Sequence, residues 1–100
     1  MDKRIIQLVN QVKSHLIERY GDKIREIILY GSYARGEATK LVLIDDSINP
    51  SDVRRSLSDL LFDILLEKGE LISVVVLPKT FFENYNYPFV INVRKEGIKV

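Results

Sequence analysis

The chain has no cysteine and no tryptophan, and only one methionine and one histidine among its 100 residues. Without cysteine there is no disulfide scaffold, zinc ribbon or thiol nucleophile. A single histidine, His15, excludes a histidine-rich metal site. Three prolines and five glycines punctuate the chain and leave no linker, low-complexity tract or internal repeat. Neither sign of charge dominates: 15 Lys and Arg stand against 14 Asp and Glu, a formal charge of +1. That balance gives no basic field for nonspecific nucleic-acid binding. No apolar run approaches the roughly 18 residues of a membrane span. Met1-Asp2-Lys3-Arg4 leads into an interrupted apolar stripe, not the continuous core of a secretion signal. A cytoplasmic protein is expected.

Leu, Ile and Val number 34, which argues against disorder. One hundred residues suit a single domain, 1–100, able to bury roughly two-thirds of its unfolded surface without a staple. Ile5, Leu8, Val9, Val12 and Leu16 recur at helical spacing, and Gly21 suits the left-handed cap that ends this helix. Ile24 to Tyr30 reads as a strand. Gly31-Ser32 is a sharp turn, and Tyr33-Ala34-Arg35 a short helix ending at Gly36. Leu41 to Ile44 is a second strand. Ser51 reads as the N-cap of a helix whose buried face is Val53, Leu57, Leu60, Leu61, Ile64 and Leu65, with Gly69 as its stop. Leu71 to Leu77 is a third strand, Lys79 to Tyr85 a short helix, and Pro88 opens a last helix through Arg94 with Gly97 as cap. The order predicts an α+β fold, a small mixed sheet with helices packed mainly on one face.

The segment able to do chemistry is Leu29-Tyr30-Gly31-Ser32-Tyr33-Ala34-Arg35-Gly36-Glu37-Ala38. A buried strand runs into Gly31, where the chain turns without a Cβ clash. Ser32 then stands at a helix N-cap, its hydroxyl and the following N–H groups facing one way, an arrangement that binds phosphates. Arg35, one turn on, adds positive charge. Gly-Ser alone would equally mark an ordinary capped strand-to-helix turn.

The ten residues together resemble the opening motif of the DNA polymerase beta-like nucleotidyltransferases, and within them the minimal nucleotidyltransferase group. The likeness extends to the element order and to the ending Pro88-Phe89-Val90-Ile91-Asn92-Val93-Arg94-Lys95-Glu96-Gly97. It implies a polymerase-beta-like core whose Gly-Ser turn, here Gly31 and Ser32, holds a nucleoside triphosphate. The activity that the resemblance implies is transfer of AMP from ATP to an acceptor hydroxyl, with Mg2+ as cofactor. Relatives of this size resemble antitoxins that bind HEPN-domain proteins, so the resemblance implies such a partner. It leaves a second function open, a catalytically silent module that neutralises the partner.

One part of the pattern departs. The family has Asp-x-Asp about ten residues after Gly-Ser, where two carboxylates bind the metal. This chain reads Thr39-Lys40-Leu41-Val42-Leu43-Ile44-Asp45-Asp46, and a literal count puts Leu43 and Asp45 at the two positions. Two readings follow. A segment of the kind Asp-Ser-Asp-Ile-Asp-Ile is dropped between Lys40 and Leu41, and the Cα spacing of about 3.8 Å is broken somewhere between Ala38 and Val42. Alternatively the chain is this short, and Asp45 is at most one residual metal ligand. The first is favoured, because Leu41 to Ile44 looks like a strand whose beginning is cut off. Glu70 is the only carboxylate near the third strand.

His15 reads as a solvated helix residue and Arg54 and Arg55 as surface residues. Phe81, Phe82, Tyr85, Tyr87 and Phe89 read as core packing or as an interface in a homo-oligomer.

Overall fold

Residues 3–31, 39–69 and 71–100 are described by the computed structural model. Helix α1 spans Lys3–Tyr20. Leu8, Val9, Val12 and Leu16 fall on one face of it and are buried, as their spacing predicts. Gly21 adopts φ 56° and starts a 3-10 turn, Gly21–Lys23, that feeds strand β1 at Ile24–Tyr30. Strand β2 is Thr39–Ile44, helix α2 Pro50–Lys68, strand β3 Val74–Pro78, helix α3 Lys79–Asn84, helix α4 Pro88–Glu96 and strand β4 Ile98–Lys99.

The four strands form one mixed sheet in the order β3-β2-β1-β4. Strand β1 runs antiparallel to β2 and β4, and β2 runs parallel to β3. On one face Val12 and Leu16 of α1 and Val53 and Leu57 of α2 pack on Ile27, Val42, Ile44 and Val76. On the other, Phe82 of α3 and Val90 and Val93 of α4 pack on Ile28, Leu41 and Leu43. The two long helices thus share one face and two short ones cover the other. Covering on both sides explains why Leu41 to Ile44 is an unbroken apolar run. Truncating a side chain such as Leu57, fully buried between α2 and the sheet, costs about 2–5 kcal/mol in cores of this kind.

Strand β2 corrects the sequence reading. Tyr30↔Thr39, Leu29↔Lys40, Ile28↔Leu41 and Ile27↔Val42 are consecutive rungs of a regular ladder. Thr39 and Lys40 therefore already belong to the strand, ahead of the apolar run Leu41 to Ile44. The strand starts at Thr39; a threonine and a lysine disguise its first two residues.

Other boundaries moved for local reasons. Asn49, not Ser51, caps α2: its side chain accepts from the Ser51 N–H at 2.8 Å, and Pro50 takes the first helical position. Gly69 ends α2 at φ 65° as read, its N–H bonded to the Leu65 carbonyl. Strand β3 begins only at Val74, although the Ser73 carbonyl already accepts from the Lys40 N–H at 3.0 Å. Gly97 follows α4 at φ −69°, so it is not a left-handed cap. Its lack of a side chain matters for space: a Cβ there would lie 2.5 Å from both Ile28 Cγ2 and the Val93 carbonyl oxygen. The two-residue strand β4 was not read from the sequence, being too short to show a period. The expected short helix at Tyr33-Ala34-Arg35 lies outside the described residues.

Candidate functional site

Strand β1 delivers the chain to Gly31, which is exposed and adopts φ 101°. An L side chain rarely tolerates that backbone conformation, so glycine is what makes this turn possible. Ser32 and Arg35, expected with Gly31 to hold phosphates, lie outside the described residues, as does Glu70. The base of the turn is well defined. Tyr30 and Thr39 are cross-strand partners and their side chains share a hydrogen bond. The Tyr30 ring meets Phe89 of α4 edge to face, with centroids 5.3 Å apart. Burial pushes the Tyr30 phenol above its usual pKa. The turn thus springs from a base pinned to α4.

One rung further in, Lys40 faces Leu29. It is 3% exposed, the one buried charged residue among those described. Strand alternation puts its side chain on the face of Val42 and Ile44, toward α1 and α2. Burial lowers its ammonium pKa, and among the described residues no carboxylate pairs with it. Thr39 and Lys40 therefore occupy the start of β2, where the resemblance places metal-binding carboxylates. Sequence reasoning passed over both, although a lysine directly before Leu-Val-Leu-Ile was the available signal.

Asp45 lies at the other end of the sheet. Register pairs Ile44 with Ile24, whereas Thr39 pairs with Tyr30 beside Gly31. A strand of this length separates the two ends by about 20 Å. Arg25 Nη2 donates to Asp45 at 2.7 Å, the Ser47 N–H donates at 2.9 Å, and Lys23 Nζ stands 3.8 Å away. The Ser47 and Arg25 hydrogen bonds hold this carboxyl well below the usual range. Asp45 is thus engaged in locking the β2–α2 loop, not aimed at the Gly31 turn. Its neighbour Asp46 accepts from the Thr80 hydroxyl at 2.8 Å and ties that loop to α3. Among the described residues no three His, Cys, Asp or Glu side chains gather as a metal site. With a buried lysine in place of carboxylates, the described residues at the mouth of the turn do not fit Mg2+.

A cleft of about 400 Å³ opens on the α3–α4 face, floored by Ile28, Leu43, Phe82 and Val93. Part of its polar lining is already engaged. Arg94 donates to the carbonyls of Phe82 and Glu83 and to Asn86, and Lys99 stands 3.5 Å from Glu26. Among the described residues no helix is long and apolar enough to cross a membrane.

No family model matches the chain, and no solved structure matches it. Among curated proteins it is 36% identical over 97 residues to the "Putative protein adenylyltransferase MJ0604" of Methanocaldococcus jannaschii. The match spans 96% of this chain and 93% of that protein, so it takes in the Gly31 turn, the sheet and the closing helix together. At that identity and coverage, the chain belongs to the nucleotidyltransferase-type family of this relative.

Proposed function

We propose that the protein transfers AMP from ATP to a hydroxyl group on a partner protein. The observation that carries this reading is the near-full-length relationship to a protein named as a protein adenylyltransferase. The left-handed Gly31 at the end of β1 supports it, because the phosphate-holding turn needs such a residue there. In this reading the backbone at Gly31, the Ser32 hydroxyl and the Arg35 guanidinium hold the triphosphate. The acceptor oxygen attacks the α-phosphorus as the bond to the bridging oxygen breaks. Pyrophosphate leaves with that oxygen, and the hydroxyl proton passes to solvent. The described residues do not fit Mg2+, which the resemblance implies. The partner in this reading is a HEPN-domain protein.

A second reading has an observation of its own. Lys40 stands buried where carboxylates are expected, which favours a catalytically silent module that neutralises the same partner by binding. One experiment separates them: the partner is incubated with this protein and ATP, with and without magnesium, and its intact mass is measured. Transfer adds one adenylyl group to the partner. A stable complex with unchanged partner mass establishes the binding module instead.

A further inference from the structure

Strand β3 is an edge of the sheet, and apart from Pro78 at its last position it carries few of the devices that usually protect edges. Its sequence, Val74-Val75-Val76-Leu77-Pro78, has no charge and its pairing with β2 shows no bulge. Because the Ser73 carbonyl faces β2, accepting from the Lys40 N–H, alternation turns Val75 and Leu77 toward β2. The N–H and C=O groups of Val74 and Val76 then point away from the sheet. Among the described residues no element lies beyond them.

The same edge is overhung by apolar surface from α2. With Leu57 pointing at the sheet, the helical period puts Leu60 about 60° to one side, and Leu61, Leu65 and Phe62 about 40°, 80° and 140° to the other. Leu60 lines the crevice with Asn10, Gln11, Ser14, His15 and Glu18 of α1. Helix α1 itself lies over β1 and β4, where Val9 packs on Leu29 and Val100. Phe62 and Leu65 therefore project on the flank away from α1, past the β3 edge. Phe62 is 58% exposed, Leu66 68% and Leu71 82%.

We infer that a second copy of this chain covers this surface, its β3 pairing antiparallel with the first across a two-fold axis. An uncharged edge strand is its own complement in such a contact, since each copy supplies the donors and acceptors the other lacks. The axis also brings the two α2 flanks together and buries Phe62 and Leu65 of both. Phe62 and Leu65 leave roughly 190 Å² of largely apolar surface per copy, about a quarter of the ~800 Å² per partner that a stable interface covers. The paired strands and their flanks supply the rest. The sheet then runs continuously through both copies, with Gly31 at the end of β1, two strands in from the seam.

Light scattering on the eluting full-length chain tests this. The expected mass is twice 11.6 kDa. Val74→Pro deletes an outward donor that the fold does not use, and Phe62→Lys charges the α2 flank; each should raise the dimer dissociation constant at least tenfold with an unchanged circular dichroism spectrum. Ile17→Lys, at an exposed position on α1, should leave the dimer intact. A wild-type monomer at submillimolar concentration overturns the inference. So does a dimer that survives both edge substitutions, or one that Phe62→Lys dissociates while a folded Val74→Pro does not.

Discussion

Lys40 stands across the β1–β2 ladder from Leu29, one rung inside the Gly31 turn, with its side chain buried on the face that α1 and α2 cover. A desolvated ammonium without a described carboxylate partner destabilises the fold that holds it. Lys40→Met should therefore raise stability, by on the order of 1–2 kcal/mol near neutral pH. The pH dependence follows from the lowered pKa. Between the folded-state value and the ordinary lysine value of about 10.4 the unfolded chain binds the extra proton, so wild-type stability rises with pH across that window. The penalty is complete below the window and gone above it. Melting temperatures of both proteins across alkaline pH should converge as the pH rises; parallel curves would remove Lys40 as their cause.

Asp45 behaves in the opposite sense. Its hydrogen bonds to Ser47 and Arg25 depress its pKa, so its contribution to stability is present above the ordinary aspartate pKa of about 3.9 and is lost as pH falls through the folded-state value. Asp45→Asn should lower the melting temperature at neutral pH, with the gap to wild type closing in strong acid. Nucleotide affinity should not change, because Asp45 lies at the far end of β2 from Gly31. A loss of magnesium or nucleotide binding in Asp45→Asn would restore it as a ligand.

These two residues also show what the sequence could disclose. Strand β1 was legible residue for residue, because Ile24 to Tyr30 ends in an apolar run and is stopped by Gly31. The stop of α2 at Gly69 was legible for the same kind of reason, a single residue with one conformational use. Strand β2 was misread because Lys40 has poor strand propensity and separates Thr39 from the apolar run; both are recruited by pairing with Leu29 and Tyr30, a tertiary effect that no local pattern displays. Asp45 matched a motif by counting, yet counting cannot tell which end of an antiparallel ladder a residue occupies. The motif itself, Leu29 to Ala38, carried the family assignment, and at Gly31 the backbone agrees with it.

Gly97 joins α4 to β4 at a point where its Cα backs onto Ile28. Gly97→Ala should destabilise the protein by about 1–3 kcal/mol, the usual result of forcing atoms into a packed site. The cause would be contact, since φ is −69° and any residue adopts it. Denaturant unfolding measures the change. Ile28→Val in the same background removes Cδ1 and leaves Cγ2 in place, so it should recover little of the loss, both close contacts remaining. Full tolerance of Gly97→Ala would show that α4 docks more loosely than its buried Val90 and Val93 imply.

Substitutions at Gly31 and Ser32 separate the turn's backbone from its chemistry. At φ 101° Gly31 sits where an L residue is strained, so Gly31→Ala should cost about 1–3 kcal/mol of stability. If the turn holds a triphosphate, as proposed, the same substitution should also weaken ATP binding by displacing the N–H groups that follow. Stability and affinity then fall together, and Gly31→Ala alone cannot assign a role. Ser32→Ala leaves the glycine conformation untouched and removes one hydroxyl. Loss of a hydrogen bond to a charged phosphate should weaken a non-hydrolysable ATP analogue by about 1–2 kcal/mol, roughly five- to thirty-fold in Kd. Titration calorimetry reads that change, with a melting curve on the same sample to check the fold. Unaltered affinity in a folded Ser32→Ala would take Ser32 out of the nucleotide site, and unaltered affinity in Gly31→Ala as well would move the nucleotide away from this turn altogether.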